Sequence, residues 1–248
     1  MCILAIDTIS KYSGVALMGG AKIIPRSASA ALGVNCFGYK ELLWETRQNH
    51  SQELLTKIKE LLGRAKVKHF AIKAVAVVSG PGSFTGTRIG VTVANSIGFA
   101  LKIPVVGVDA LTAQAMFFTH FCSQGREELK MGIVSVLEIN REQLYLKKIK
   151  KQKPKSENNI ELVDINKLGN FIEEGDLIIG ETTEYLAEII KQMFPRNEIK
   201  FIANFDQNHR ALGAAKVVAE LWGAKKINPK TVAVPIYIKP ANITKKKK

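Results

Sequence analysis

A glycine-rich run at residues 79–90, Ser-Gly-Pro-Gly-Ser-Phe-Thr-Gly-Thr-Arg-Ile-Gly, has the composition of a loop that holds phosphate. Such loops work because backbone amides at the start of a helix donate hydrogen bonds to an anion. The register fits neither common motif. Gly86 precedes Thr87 and Arg88 where a Walker A loop needs lysine, and Thr85 stands where a dinucleotide fingerprint needs its third glycine. A closely packed turn or a partner contact is therefore favoured over phosphate binding.

The other reactive residue types do not form a catalytic pattern. Cys2, Cys36 and Cys122 are far apart and odd in number, so neither a disulfide framework nor a zinc site is expected, and a reducing cytoplasm is the natural compartment. The histidines without a partner at helical spacing are His69, His120 and His209. The sequence thus predicts no catalytic residue and no metal site.

Apolar spacing predicts the elements that position the glycine-rich run. Two apolar runs at 3–6 and 13–18, joined by a polar turn, predict a β-hairpin, and a further strand is expected near 41–46. A helix capped by Ser51 and ended by Gly63 is predicted from an apolar stripe. The stripe consists of Leu54, Leu55, Ile58, Leu61 and Leu62.

The glycine-rich run lies between a predicted buried strand at 74–78 and a predicted helix at 89–101, and a second buried strand is expected at 104–108. A second unit is predicted from residue 111 onwards. Its predicted helices are 111–121, 182–193 and 211–222, and its predicted strands are 131–137, 143–149 and 176–180. Alternating strands and helices after an initial hairpin indicate an α/β fold with mixed sheets and two domains, 1–110 and 111–248.

Composition and charge narrow the function classes. The chain has 248 residues, of which 46% are hydrophobic, and a formal net charge of +14. This charge favours polyanions such as RNA, and the lysine-rich stretch at 147–155 and the lysines at 245–248 are its densest parts. No apolar run reaches the roughly 20 residues that span a bilayer, and the N-terminus lacks the pattern of a signal peptide, so no membrane association is expected.

The run from Val78 to Gly90 resembles the signature of the bacterial TsaB (YeaZ) family. The resemblance is dense over residues 1–110 and sparse beyond, where residues 138–145 keep only a tyrosine of the family's pattern. Further segments that resemble the family are the hairpin at 3–17, the helix start at 50–55, the strand at 103–108 and the C-terminal Pro-Ile-Tyr-Ile-Lys at 235–239. The resemblance implies an actin-like/hexokinase (ASKHA, ribonuclease H-like) fold with two lobes.

Relatives with that fold bind ATP between the lobes through two phosphate loops, and the resemblance makes Asp7 and Thr8 a vestige of the first loop. The C-terminal half contains no paired glycines for the second loop, so no tightly bound cofactor is expected and ATP is expected to be used by partner proteins. The catalytic paralogue TsaD holds a metal through two histidines one helical turn apart. Here His50 is followed one turn later by Leu54, so that site is not expected.

The resemblance implies a non-catalytic activator for threonylcarbamoyladenosine modification of tRNA. Its N-terminal lobe would pair with a TsaD-like paralogue, or with a second copy of itself, and a TsaE-like ATPase would complete the assembly. The residues expected at the partner interface are Ser51, Leu54, Leu55, Ile58, Phe84, Arg88, Val91, Val93 and Asn95.

Two alternatives stay open. One is an enzyme of the same superfamily, either an ATP-dependent kinase-like transferase or a metallopeptidase-like protein. The other is a direct tRNA contact through Lys147, Lys148, Lys150 and Lys151.

Overall fold

A computed structural model describes residues 1–19, 38–46, 50–122, 132–149, 159–173, 175–181, 183–194, 200–202 and 209–238. It contains two five-stranded sheets. The strands are β1 (Cys2–Asp7), β2 (Tyr12–Met18), β3 (Tyr39–Glu45), β4 (Ile72–Val78), β5 (Val105–Val108), β6 (Ile133–Glu138), β7 (Gln143–Ile149), β8 (Glu161–Asp164), β9 (Leu177–Glu181) and β10 (Lys200–Ile202). The α-helices are α1 (His50–Ala65), α2 (Phe84–Leu101), α3 (Ala110–Phe117), α4 (Glu184–Met193) and α5 (Arg210–Gly223).

The first sheet has the strand order β3-β2-β1-β4-β5. β1 pairs antiparallel with β2 and parallel with β4, and β5 is parallel to β4. The predicted N-terminal hairpin and the predicted mixed sheet with antiparallel edge strands are therefore confirmed. Because β1 and β4 are central and covered on both faces, they consist of nearly continuous apolar runs.

Two helical layers cover the first sheet. Along β1, Leu4 and Ile6 point into the core formed with α1 and α2, whereas Ile3 and Ala5 point into the core formed with α3 and α5. This alternation is the period of two that a strand imposes on its side chains. The first sheet is therefore the middle layer of a three-layer unit.

The ends of α1 differ from the prediction. The helix begins at His50, so Ser51 is its second residue and not its cap, and it continues through Gly63 to Ala65. Gly63 does not end it, because the left-handed backbone conformation that closes the helix falls on Lys66, with φ of 53°. The predicted cap and the predicted glycine stop were wrong for this reason.

The second sheet has the strand order β10-β9-β6-β7-β8. The predicted pairing of β6 with β7 is confirmed as antiparallel, and β9 is parallel to β6. The short strands β8 and β10 were not predicted, because three or four residues are too few to show an apolar period. A 3-10 helix, Ile165–Phe171, was not predicted either.

Part of the chain after residue 110 packs against the first sheet and not the second. Helix α5 packs on β1, β2 and β4, and Thr231 accepts a hydrogen bond from the backbone amide of Val105 at 2.9 Å. Buried Gln114 of α3 joins the lobes, since its side-chain amide donates to Ser135, Val136 and Ile179 of the second sheet at 3.1–3.3 Å. The predicted second unit therefore completes the first lobe as well.

The described part of the chain contains no helix that is long and apolar enough to cross a membrane.

Candidate functional site

The glycine-rich turn packs directly on the loop that follows β1. The Thr8 hydroxyl donates to the carbonyl oxygen of Gly86 at 2.6 Å, and the amide of Ser83 donates to the carbonyl oxygen of Ile9 at 2.7 Å. A Cβ atom on Gly86 would lie 1.9 Å from the Thr8 oxygen, and one on Gly90 would lie 2.4 Å from the Thr8 hydroxyl. The glycines therefore permit close backbone approach, as the packing interpretation expects.

Three amides of this turn, those of Ser83, Gly86 and Thr87, donate to groups within the protein. Ser83 caps α2 by accepting from the Gly86 amide at 3.2 Å, and the amide of Thr87 donates to the Ser83 carbonyl at 2.8 Å. The carbonyl of Ser79 accepts from the amide of Ile236 at 2.7 Å. The start of α2 and the C-terminal segment at 231–238 are therefore joined through the same turn. This geometry favours a structural turn over a phosphate-binding loop.

Asp7, the predicted vestige of a phosphate loop, forms a buried ion pair. Nε of Arg210 donates to its Oδ2 at 2.8 Å, and both residues are only 1% exposed. Arg210 also donates through Nη2 to the Ser10 hydroxyl at 2.7 Å, while the other Asp7 oxygen accepts from the Ile9 amide at 3.1 Å. A carboxylate held in this way has its charge compensated and its oxygens occupied, so it is poorly placed to bind a metal–nucleotide complex.

Sequence reasoning missed Arg210. It stands 203 positions from Asp7, at the first residue of α5, and no local pattern marks it.

The residues Phe84 and Arg88 contact the C-terminal segment of the same chain. The Arg88 guanidinium lies 3.8 Å from the centroid of the Phe84 ring, and its Nε donates to the Tyr237 hydroxyl at 2.9 Å. About two turns further along α2, Asn95 exchanges two hydrogen bonds with the backbone of Ala233, at 2.9 and 3.0 Å. These predicted interface residues therefore hold α2 against residues 231–238, although Phe84 and Arg88 remain exposed.

The other predicted interface residues differ in how far their side chains are buried. Leu54, Ile58 and Val91 are buried in the core between the first sheet and its helices, so in this chain their side chains contact the sheet and not the surface where a partner would bind. Val93 is half-buried against that core, whereas Leu55 is 55% exposed. The side chain of Ser51 lies outside the described residues.

An uncharged surface remains on the outer side of α2. From Ile89 to Leu101 the helix carries no charged residue. Its exposed residues there include Thr92, Ser96 and Ala100, and the Phe99 side chain is 89% exposed. A helix face without charge that stays in contact with solvent is typical of a protein interface.

The described part of the lysine-rich stretch is engaged in ion pairs. Lys147 is buried, and its Nζ lies 2.8 Å from Asp109, the cap of α3. Burial alone lowers the pKa of Lys148, but hydrogen bonds to Glu173 and Asp176 outweigh burial and raise that pKa above its ordinary value. These two lysines therefore do not support the predicted tRNA contact. Residues 150–155 lie outside the described part of the chain.

The described histidines and acids do not build a metal site. No group of three metal-ligating side chains occurs among the residues that the structure covers. His209, which precedes α5, contacts Glu41 and stacks on Phe117 with ring centroids 4.7 Å apart.

Comparisons with known proteins relate part of this chain to proteins of threonylcarbamoyladenosine biosynthesis. A family profile described as TsaD, tRNA N6-adenosine threonylcarbamoyltransferase, matches residues 44–125. The tRNA threonylcarbamoyladenosine biosynthesis protein TsaB of Bacillus subtilis is 31% identical over 121 residues, which is 49% of this chain and 46% of that protein. The protein of the same name from Buchnera aphidicola of Schizaphis graminum is 33% identical over 113 residues, 46% of each chain.

The fold comparison extends over the whole chain. YeaZ from Pseudomonas aeruginosa superposes with a TM-score of 0.67 at 20% identity, covering 96% of this chain and 99% of that one. The predicted α/β fold with two mixed sheets is confirmed, and the chain shares the fold of YeaZ. The sequence matches themselves span less than half the length of these curated relatives.

Proposed function

We propose that this chain, which is similar over about half its length to tRNA threonylcarbamoyladenosine biosynthesis proteins TsaB, is a member of the TsaB (YeaZ) family and a non-catalytic subunit in the biosynthesis of threonylcarbamoyladenosine in tRNA. In this proposal it pairs through its first lobe with a TsaD-like paralogue, which carries out the transfer. A TsaE-like ATPase completes the assembly, and pairing of the same lobe with a second copy of the chain is the alternative to pairing with the paralogue.

The uncharged outer face of α2 is the observation that carries the proposal. Phe99 is exposed there, and the small residues Ser96 and Ala100 permit close approach of another helix. Leu55 of α1 adds an exposed apolar side chain on the neighbouring helix. Because burying apolar surface is favourable in water, covering this face with a partner would lower the free energy.

The buried Asp7–Arg210 pair supports a role without nucleotide chemistry in this chain. Opening the pair to admit a nucleotide would separate the buried Asp7 carboxylate from the Arg210 guanidinium, which is costly. Isothermal titration of the isolated chain with ATP and magnesium should therefore give no saturable heat at micromolar concentrations. Saturable binding that is lost in Asp7→Asn would favour the kinase-like alternative instead.

The pairing has its own test. We expect Ala100→Arg to abolish co-purification with the TsaD-like protein of the same organism, because an added cation cannot be solvated inside an apolar interface. Ala100 is exposed, so the melting temperature of the isolated variant should stay close to that of the wild type. Analytical size exclusion of the two co-expressed proteins measures the complex.

Gln192→Arg is the matched control, since it adds the same charge at an exposed position of α4 in the second lobe. It should leave the complex intact. If Ala100→Arg pairs as well as this control, the outer face of α2 is not the interface. If the wild-type chain fails to pair with the TsaD-like protein, the proposed function is wrong.

A further inference from the structure

Three helices of the first lobe end at the same edge of its sheet. The next strands after α1 and α2 are β4 and β5, reached by short connections that in the first case include a 3-10 helix, His69–Ala71, so both helices end where these parallel strands begin. Helix α5 starts beside Asp7 at the other end of β1 and is 14 residues long, which is about 20 Å, the length of such a strand. The segment after it returns to the first residue of β5 through Thr231.

Lysines occupy this edge. We call it the lysine edge and define it by Lys66, Lys68, Lys102, Lys225, Lys226 and Lys230, all of them exposed. The connecting segments 63–73, 99–104 and 223–232 contain no aspartate or glutamate. Among the residues that the structure describes, none of these six lysines forms an ion pair. The nearest acids on the same helices, Glu60 and Glu220, pair with other basic residues of their own helix.

The backbone at this edge adds an independent observation. Lys66, Lys102 and Lys225, which follow α1, α2 and α5, have φ of 53–54°, and within the described ranges no other residue except glycine has a positive φ. Glycine is the usual residue at such a helix end, because a side chain is strained there. Lysine, and not glycine, therefore occupies all three positions where this backbone conformation strains a side chain.

The helix dipole is the simpler explanation, since a cation at the C-terminus of a helix is stabilised. It accounts for Lys66, Lys102 and Lys225. It does not account for Lys230, which lies beyond the last turn of α5, or for the absence of acids from all three connecting segments. An exposed aromatic residue accompanies the lysines: the Phe70 ring is 63% exposed, and the Nζ of Lys68 lies 5.6 Å from its centroid.

We propose that the lysine edge binds the sugar–phosphate backbone of tRNA. This inference rests on the proposed function, because that function supplies tRNA as the polyanion. Lysine side chains at the ends of separate helices suit a backbone contact, which needs point charges spread over a surface and no base-specific geometry. The edge lies opposite the end of the sheet that holds Asp7 and the glycine-rich turn, so tRNA would not compete with either.

Fluorescence anisotropy with a labelled, unmodified tRNA transcript over a series of salt concentrations tests the proposal. The combined variant Lys66→Gly, Lys102→Gly, Lys225→Gly removes charge while installing the residue that the backbone favours, so it should stay folded. We expect the slope of log affinity against log salt to become shallower by about 2–3, with at least tenfold weaker binding at low salt. The matched control, Lys59→Gln, Lys167→Gln, Lys191→Gln, makes the same change in net charge at exposed positions elsewhere and should bind within twofold of the wild type.

Equal weakening in both variants, or none in the edge variant, overturns the proposal. It is also overturned if the edge variant keeps its tRNA affinity but loses binding to phosphatidylserine vesicles, since the edge would then be a membrane surface. Failure in these tests with intact TsaD-like pairing removes this inference alone. Loss of pairing in the wild type removes the proposed function instead.

Discussion

Replacing Arg210 with methionine should lower the free energy of unfolding by about 3–5 kcal/mol, because it leaves the Asp7 carboxylate buried without its counter-ion. Both side chains are 1% exposed, so water cannot replace the lost partner. The substitution also removes the hydrogen bond from Nη2 to Ser10. Urea denaturation followed by circular dichroism measures the change.

The double variant Asp7→Asn, Arg210→Met shows how much of this loss in the free energy of unfolding comes from the unpaired charge and how much from lost packing. An asparagine oxygen can still accept from the Ile9 amide, so most of the lost stability should return when both charges are gone. Arg64→Met is the exposed control, since Arg64 pairs with Glu60 at the surface and should cost less than about 1 kcal/mol. A loss in Arg210→Met as small as that of Arg64→Met would show that the Asp7 pair is hydrated in solution.

Replacing Gly86 with alanine should destabilise the first lobe by about 2–3 kcal/mol or more, because the added methyl group meets backbone and not a movable side chain. Its Cβ would lie 1.9 Å from the Thr8 carbonyl oxygen. Relief requires α2 to move away from the loop after β1, which breaks the hydrogen bond between Thr8 and Gly86. The midpoint of urea denaturation measures the effect.

Gly63→Ala is the matched control for this glycine. Gly63 is also within an α-helix, but a Cβ atom there meets no atom within 4 Å. Alanine should therefore stabilise the protein by about 0.5–1 kcal/mol through helix propensity alone. If the two alanine variants change stability in the same direction, close packing is not the reason for glycine at position 86.

The interface residues illustrate where sequence reasoning stops. The apolar stripe of α1 identified a buried helix face correctly, yet the same stripe supplied Leu54 and Ile58 as partner contacts. A period of 3.6 residues shows which face of a helix is apolar, and it does not show whether that face meets the sheet or another protein. Only the position of the helix on β2 and β3 decides this.

Local patterns determined much of the first lobe. The apolar runs of β1 and β4 reveal strands because burial on both faces requires apolar residues throughout, and the glycines of the turn reveal close approach because larger residues do not fit. The register of that turn also sufficed to disfavour two phosphate motifs. These features depend on residues within a few positions of one another, which is the range that a sequence pattern reports.

Only the tertiary structure showed which segments far apart in the chain contact one another. Arg210 reaches Asp7, residues 231–238 return to α2, and the lysines at the ends of α1, α2 and α5 meet at one edge. Each of these arrangements joins segments far apart in the chain, and its energy comes from contacts that exist only after the chain has folded back on itself. No periodicity in the sequence records such contacts, which is why the buried ion pair and the lysine edge became visible only in the folded protein.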